Sequence, residues 1–412
     1  MGLKASLKVC NSFFLKELRP FLNNFIFRLL HPTVAQENST TSTTLSQPFE
    51  VRYPFRYHKP PTEASGSMSY DSSNPYDSIP SPKGFPLFGT IFSIFFRGGA
   101  PKIHEYCDRR HNELGRVYRE KLGVVEAVFV ADSELIQQIY QNEGRYPMHM
   151  VPEPWIIYNE INGIQRGLFF ISYVKDNIKE LSSKSEMGQP IEGALSQLLF
   201  HDNLDEEEVV RIVADLFLAA ADTTSHATQW ALYMLAKNPK FQERLVEELN
   251  GVVPSGEVVG EYHLQNLRFL KAVIKETLRL YPVAPFLTRT LSQDVVLNGY
   301  EIPAGKLILM SLYTTGRDPK YFPNPNQFVP DRWLRNRDIH DVISTFASLP
   351  FGYGPRSCIG RRVAEIQMEL LLARTVQAFH LEDANMRDVG IIMRMITTPD
   401  EPIKLRLRDR ID

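Results

Sequence analysis

Cysteine is scarce in this chain of 412 residues, and its three cysteines, Cys10, Cys107 and Cys358, lie far apart. Such few and scattered cysteines exclude a disulfide framework and fit a reducing compartment, in which one thiol can serve as a ligand. An excess of charge is also lacking, because a net charge of −2 gives no bulk attraction to nucleic acid. What remains is an ordinary globular composition, 43% hydrophobic and 23% charged, with enough apolar content for a large core.

The start of the chain has no run of about 20 apolar residues, so the sequence predicts no membrane anchor there. Residues 1–32 carry a single acidic residue, Glu17, among leucines and phenylalanines. Their basic residues are Lys4, Lys8, Lys16, Arg19 and Arg28. This composition is typical of a mitochondrial transit peptide, and a surface helix of the mature domain is the alternative. Residues 33–78, rich in Ser, Thr and Pro, are predicted to be a disordered linker before a folded domain over 79–412.

Hydrophobic periodicity predicts a chain that is mostly helical. The predicted helices cover 102–114, 133–142, 206–237, 270–281 and 361–379. The predicted strands cover 117–122 and 127–131. The helix over 206–237 is the longest, and it ends at Asn238-Pro239 because proline cannot continue a helix.

The most informative segment is Phe-Gly-Tyr-Gly-Pro-Arg-Ser-Cys-Ile-Gly, residues 351–360. Its three glycines allow either a left-handed backbone or close approach to a flat partner. Cys358 lies directly before a predicted helix, whose dipole favours the thiolate form that binds metals. Arg356 can pair with a carboxylate of a bound cofactor. The alternative is a buried structural cysteine in a tight turn.

Two polar residues interrupt the apolar middle of the longest helix. The segment Ala-Ala-Ala-Asp-Thr-Thr places Asp222 and Thr223 where polar side chains are costly unless they are satisfied. Thr223 either donates a hydrogen bond to a carbonyl one turn earlier or, together with Asp222, moves protons in a reaction.

The pattern Phe-x-x-Gly-x-Arg-x-Cys-x-Gly in residues 351–360 resembles, at every position, the haem-binding signature of the cytochrome P450 family. The resemblance implies a fold that is mainly α with a small β lobe. It implies haem b as the cofactor, with Cys358 as the thiolate ligand of the iron. It also implies a monooxygenase that uses O2 to hydroxylate a lipophilic substrate.

The same resemblance assigns roles to other residues. Asp222 and Thr223 deliver protons during oxygen activation. The residues assigned to cofactor binding are Phe351, Gly352, Arg289 and Arg356, of which the two arginines pair with the haem propionates. The residues assigned to a buried structural triad are Glu276, Arg279 and Arg332.

Two features resemble the mitochondrial branch of the family, which receives electrons from a small [2Fe–2S] ferredoxin. Lys271 and Lys275 lie at i and i+4 on one helix and match the basic pair that docks an acidic ferredoxin, although simple solvation is the alternative. Paired arginines at 361–362 are typical of the same branch. The stretch 145–170 resembles insect mitochondrial enzymes of the ecdysteroid (Halloween) pathway. We therefore expect a steroid substrate and a peripheral location on the matrix side of the inner mitochondrial membrane.

The chain departs from the family pattern between Phe170 and the longest helix. Trp155 and Trp230 lack an arginine four residues later, and Trp333 lies shortly before the haem-binding segment, so none of the three takes the place of the Trp-x-x-x-Arg clamp for a haem propionate. The family's usual length implies that roughly a hundred residues are absent at the junction of Phe170 and Ile171. These residues would cover the substrate pocket. We therefore expect an internally truncated fold that exposes apolar helix surface, holds haem poorly and turns over little.

Two other classes of function stay open at this point. A haem-thiolate isomerase or lyase would keep the cysteine but has no need of Asp222 and Thr223. A non-catalytic haem or ferredoxin binder, produced by the truncation, would keep Lys271 and Lys275 and hydroxylate nothing.

Overall fold

The computed structural model describes residues 73–84, 89–122, 125–150, 206–334 and 343–410. All of these residues belong to one compact unit, Ser69–Asp412. The predicted transit peptide, most of the predicted linker and the junction of Phe170 with Ile171 lie outside the described residues. Residues 73–78, which the sequence assigned to the linker, belong to the folded unit, since Asn74 bridges to Tyr300 and Tyr76–Ser78 forms a 3-10 turn.

The described part of the chain is mostly helical. Its helices are α1 (Ile91–Phe96), α2 (Ile103–Leu114), α3 (Ser133–Gln141), α4 (Glu206–Lys237), α5 (Pro239–Val252), α6 (Arg268–Leu280), α7 (Leu312–Thr315) and α8 (Arg361–Ala378). Every predicted helix is present, and its ends agree with the prediction to within two residues. The fold class that the sequence predicts, mainly α with a small β part, is confirmed.

The strands form one mixed sheet and three short ribbons. Their bounds are β1 (Val117–Leu122), β2 (Val125–Val130), β3 (Phe286–Thr290), β4 (Val295–Leu297), β5 (Tyr300–Ile302), β6 (Leu307–Ser311), β7 (Phe379–Asp383), β8 (Ile391–Met393), β9 (Thr397–Pro399) and β10 (Leu405–Asp409). The mixed sheet has the order β1-β2-β6-β3, with only β2 and β6 parallel. The ribbons pair β7 with β10, β4 with β5, and β8 with β9.

The helical core is built around the carboxyl half of α4, which packs against α5, α6 and α8. Trp230 on α4 is fully buried, and its ring stacks on Tyr281 at 4.0 Å between centroids. Leu270 on α6 and Leu372 on α8 are also fully buried in this cluster. Because α8 follows the cysteine loop directly, this core holds that loop against the rest of the helices.

Helix α3 shows how local sequence sets an element that supports the site. Asp132 caps its amino end, and its carboxylate accepts hydrogen bonds from the amides of Glu134 (2.9 Å) and Leu135 (3.2 Å). Ile136 and Ile139 are fully buried against the sheet. The chain leaves α3 through Gly144, whose φ of 72° is left-handed and favours glycine.

Two buried histidines make the stability of this fold depend on pH. His104 is fully buried and His111 is nearly so; the ring of His111 hydrogen-bonds Ser311 Oγ (2.9 Å) and the carbonyl of Gly115 (3.0 Å). Burial lowers the pKa of each from 6.5 to about 4, because a buried imidazolium loses its hydration. The folded state therefore has its full stability above pH 6.5, where the histidines are neutral in both the folded and the unfolded chain. As the pH falls toward 4, the free energy of unfolding decreases by up to about 3 kcal/mol per histidine.

Replacing His111 by glutamine should make the free energy of unfolding fall less steeply as the pH decreases, because glutamine does not titrate. Urea unfolding between pH 7 and pH 4.5 measures the slope of stability against pH for the wild type and for His111→Gln. A slope that is the same in both proteins would contradict a neutral buried His111.

None of the helices that the structure describes is both long and apolar enough to cross a bilayer.

Candidate functional site

The cysteine segment forms a closed loop that leads into α8. The amide of Cys358 donates to the carbonyl of Phe351 at 2.8 Å, which joins the two ends of the loop. Gly352 (φ 70°) and Gly354 (φ 72°) take the left-handed backbone, one of the two alternatives that the sequence leaves open for this segment. Gly360 does not, since its φ is −83°; a Cβ at this position would instead lie 4.0 Å from Cys358 Sγ. Its glycine therefore keeps space free beside the sulfur.

The thiol of Cys358 is exposed, which excludes the alternative of a buried structural cysteine. The loop is held by rings on either side: Phe351 is half-buried, with the Arg361 guanidinium 5.4 Å from the centroid of its ring. Tyr353 contacts the rings of Phe346 (4.9 Å) and Tyr140 (5.5 Å). The loop that carries the sulfur is thus held by a backbone hydrogen bond between its ends and by contacts of its aromatic rings.

The two arginines predicted to bind a cofactor carboxylate have different surroundings. Arg289 lies on β3 and is 4% exposed; its Nε donates to Glu143 Oε2 (2.5 Å) and its Nη1 to the carbonyl of Thr288 (2.8 Å). Arg356 is exposed within the cysteine loop, and its Nε donates to the carbonyl of Pro147 (3.3 Å). One arginine is therefore fixed in a buried ion pair, whereas the other lies at the surface beside the thiol.

A short segment after α3, residues 143–150, connects these two arginines. Its Glu143 pairs with Arg289 and its Pro147 accepts from Arg356. Further along, the carbonyl of Met148 accepts from the amide of Thr290 on β3 at 3.0 Å. Sequence reasoning used part of this segment only as a family resemblance and missed Glu143. The available signal was a carboxylate directly before a glycine at the end of a helix.

The middle of α4 is exposed, from Ala219 through Asp222. Thr223 Oγ1 donates to the carbonyl of Ala219 at 2.7 Å, which is the hydrogen bond of the simpler interpretation. The hydroxyl oxygen keeps its acceptor lone pairs, so this bond leaves room for a second partner. His226 follows Asp222 by one turn; burial lowers its pKa, and the charge of Asp222 opposes this shift.

Glu276, Arg279 and Arg332 come together in a buried cluster behind the helical core. The guanidinium of Arg279 donates to both oxygens of Glu276, at 2.7 and 2.8 Å. Arg332 Nε donates to Oε1 at 3.0 Å, and Trp333 Nε1, which the sequence did not indicate, donates to Oε2 at 2.9 Å. Arg279 also donates to the carbonyls of Gly316, Pro325 and Gln327. The carboxylate thus ties α6 to the loop that ends in the 3-10 turn Pro330–Trp333.

The two lysines predicted to bind a ferredoxin differ in exposure. Lys275 is exposed, with its ammonium 5.9 Å from the centroid of the Trp333 ring. Lys271 is half-buried and lies near Glu369 of α8. Burial raises the pKa of Glu369, and the positive charge of Lys271 opposes that shift. Of these two lysines, Lys275 therefore contributes the more exposed charge of α6.

The donors around the cysteine loop fit a haem. An exposed thiol supplies one soft ligand for iron, and the guanidinium groups of Arg289 and Arg356 match the carboxylates of propionate groups. Both arginines are held by the same segment, 143–150, which borders the loop. An exposed cysteine thiol and two arginines held by one neighbouring segment are a donor set that suits a haem-thiolate protein.

Comparison with known proteins gives the same class. The model of the family described as "Cytochrome P450" matches residues 79–181 and 169–407, which is most of the chain. The chain belongs to the cytochrome P450 family, whose members are monooxygenases that hold haem b through a cysteine thiolate.

Mitochondrial members of the family are among the relatives. The chain is 28% identical to "Cytochrome P450 315a1, mitochondrial" of Drosophila melanogaster, over 82% of this chain and 89% of that protein. It is 38% identical to "Sterol 26-hydroxylase, mitochondrial" of Mus musculus, over 58% of this chain and 46% of the relative. It is 40% identical to "Cholesterol side-chain cleavage enzyme, mitochondrial" of Hypanus americanus, over 57% and 45%. The chain therefore spans less than half the length of the last two.

One of these alignments contains many positions at which this chain has no residue. The alignment with the Drosophila protein has 479 positions, whereas 82% of 412 residues is about 338, which leaves about 140 positions without a counterpart. The family model also matches in two parts, and the second part begins at residue 169.

Proposed function

We propose that this protein is a haem-thiolate monooxygenase that inserts one atom of O2 into a C–H bond of a lipophilic substrate. The observation that carries the proposal is the exposed thiol of Cys358 in a closed loop directly before α8, in a chain that belongs to the cytochrome P450 family. The bound haem would supply oxygen activation.

The residues of this chain hold the cofactor and move protons. Cys358 supplies the thiolate, Phe351 and Gly352 shape the loop beside it, and Arg289 and Arg356 hold the carboxylates. Thr223 Oγ1 accepts and passes on a proton, and Asp222, exposed one residue earlier, exchanges protons with solvent. The exposed Asp222 and the spare lone pairs of Thr223 support this assignment over that of an isomerase or lyase, which needs neither residue.

A steroid is the substrate class that we propose. Two of the relatives are named for sterol oxidation, a 26-hydroxylase and a side-chain cleavage enzyme. Within that class we propose an ecdysteroid precursor and, more specifically, hydroxylation at carbon 2, on the resemblance of stretch 145–170 to insect enzymes of that pathway.

The proposed electron donor is a mitochondrial [2Fe–2S] ferredoxin, and the proposed location is the matrix side of the inner mitochondrial membrane. The mitochondrial names of the relatives support both. Helix α6 has two exposed cations, Lys275 and Arg268, and Lys271 adds a half-buried charge. An acidic ferredoxin would be attracted by these charges, and the attraction would weaken as the salt concentration rises.

Reversing the charge at Lys275 should weaken ferredoxin binding about tenfold at low salt, because Lys275→Glu replaces attraction by repulsion. Surface plasmon resonance with an immobilised acidic ferredoxin measures the dissociation constant at several salt concentrations. Lys240→Glu is the matched control, since Lys240 is an exposed lysine on α5 and its replacement makes the same change in net charge. Equal effects of the two substitutions would contradict docking at α6.

A second candidate function is binding of haem or of ferredoxin without turnover. The observation in its favour is the exposed middle of α4, where Ala219–Asp222 lie open, with Leu216 37% exposed one turn earlier. The alignment positions without a counterpart support the proposal that an internal segment is absent near residues 170–171. Without that cover, a substrate would have no closed pocket over the helix.

The experiment that tests the function is the carbon monoxide difference spectrum of the reduced, purified 412-residue protein, followed by steroid turnover with a ferredoxin. A red-shifted Soret band together with hydroxylated product supports the monooxygenase. The band without product supports the second candidate. Absence of the band overturns both proposals for haem binding by this chain and leaves ferredoxin binding as the remaining candidate.

A further inference from the structure

The carboxylate of Glu143 is buried, and its two oxygens lie against two different parts of the site, Arg289 and the cysteine loop. Its Oε2 accepts from Arg289 Nε at 2.5 Å, and the side chains of both residues are about 5% exposed or less. Its Oε1 lies where a side chain of Gly354 would be, since a Cβ built there would come within 2.5 Å of it. Gly354 belongs to the cysteine loop; its left-handed backbone favours glycine, and any side chain there would displace the Glu143 carboxylate.

The guanidinium of Arg289 has three nitrogens, and two of them are occupied. Nε donates to Glu143 and Nη1 donates to the carbonyl of Thr288. Among the described residues, Nη2 has no acceptor. The ring of Tyr140 lies 4.9 Å from the guanidinium carbon and restricts its position further. Because a guanidinium is a rigid plane, fixing two nitrogens also fixes the third.

The ion pair also sets the local charge. A buried guanidinium without a partner would be strongly unfavourable, and the Glu143 carboxylate removes that penalty before any cofactor arrives. The same carboxylate keeps Nε from competing with Nη2 for an incoming anion.

The geometry points to Glu143 as a positioning residue for the cofactor: it fixes Arg289 so that Nη2 is the donor left for a haem propionate, and it contacts the loop that carries Cys358. This inference rests on the proposed function. Glu143 touches neither the thiol nor the reacting atoms, and it acts on the cofactor through Arg289.

The test is the rate of haem loss from the reconstituted 412-residue protein to excess apomyoglobin. We expect Glu143→Gln to release haem about tenfold faster, the range found when a residue that orients a ligand is removed. The reduction potential of the bound haem should shift as well, because a buried negative charge is lost near it. In a chain that already carries Arg289→Gln, the Glu143→Gln substitution should change the rate of haem loss no further.

Glu134→Gln is the matched control, because Glu134 lies on α3, is 72% exposed and pairs with Lys320 at the surface. It removes the same charge and should leave both readouts unchanged. Glu143→Asp keeps the carboxylate, so it should lose haem more slowly than Glu143→Gln. It also replaces Glu143→Gln in the test if the glutamine variant does not fold. Haem loss at the wild-type rate from folded Glu143→Gln, or additive effects of Glu143→Gln and Arg289→Gln, would overturn the inference alone. A wild-type chain that takes up no haem would overturn the proposed function together with it.

Discussion

Replacing Glu276 by glutamine is expected to lower the free energy of unfolding by about 3–5 kcal/mol, the range for removing one partner of a buried ion pair. Glu276 is fully buried and accepts from Arg279, Arg332 and the indole of Trp333. Glutamine has nearly the same shape but carries no charge, and its amide nitrogen would face donors. Two guanidinium groups would therefore stay in the interior without a counter-charge. Since most domains are stable by about 5–15 kcal/mol, this loss removes a large part of the total.

Urea unfolding followed by circular dichroism measures this change without any cofactor. Glu365→Gln is the control: its carboxylate pairs with Arg361 at 3.0 Å, but the two side chains are 32% and 55% exposed. An exposed pair of this kind contributes less than about 1 kcal/mol. A loss at position 276 as small as that at position 365 would show that the buried cluster does not hold the helices together.

Serine at position 358 is expected to abolish thiolate ligation altogether. A serine hydroxyl does not ionise near neutral pH and is a poor ligand for haem iron, so the red-shifted carbon monoxide band should disappear and hydroxylation with it. Cys358 is exposed and makes no disulfide, so the substitution should leave the fold intact. Circular dichroism of the apoprotein checks that point.

Cys107→Ala provides the comparison for Cys358→Ser. Cys107 is 1% exposed on α2, and burial raises the pKa of its thiol to about 12, so that it stays protonated. A buried thiol of this kind cannot act as an iron ligand. The alanine variant should therefore keep any thiolate band that the wild type shows. Retention of the band in Cys358→Ser would contradict the assignment of the ligand.

Local patterns in the sequence predicted the cysteine loop and five of the eight described helices, but not α1, α5 and α7. The long helix α4 ends at Lys237 because proline follows shortly after it at position 239, and the left-handed backbone of Gly352 and Gly354 could be anticipated from their residue type. The pairing of Arg289 with Glu143 could not be anticipated from the sequence, because 146 residues separate the two. Nothing in the neighbourhood of either residue selects the other until the sheet and α3 are packed.

The exposure of a side chain could not be predicted from the local sequence either. Spacing placed Lys271 and Lys275 on one side of a helix, but only packing against α8 shows that Lys271 is half-buried near Glu369. Similarly, the hydrogen bond of Thr223 to Ala219 is a local helix property and was one of two interpretations of the sequence. Which interpretation governs Thr223 in a reaction depends on a substrate and cofactor that lie outside any local pattern.

The hydrogen bond from Trp333 to Glu276 gives the protein an optical reporter. The indole of Trp333 contacts the buried carboxylate on one side and lies 5.9 Å from the surface ammonium of Lys275 on the other. Trp230, by contrast, is fully buried, and its ring is stacked on Tyr281. The emission wavelength of an indole responds to the electric field across its ring. Intrinsic fluorescence from Trp333 should therefore report the integrity of the interior cluster and, under the proposed docking at α6, the binding of an acidic partner, with no added dye.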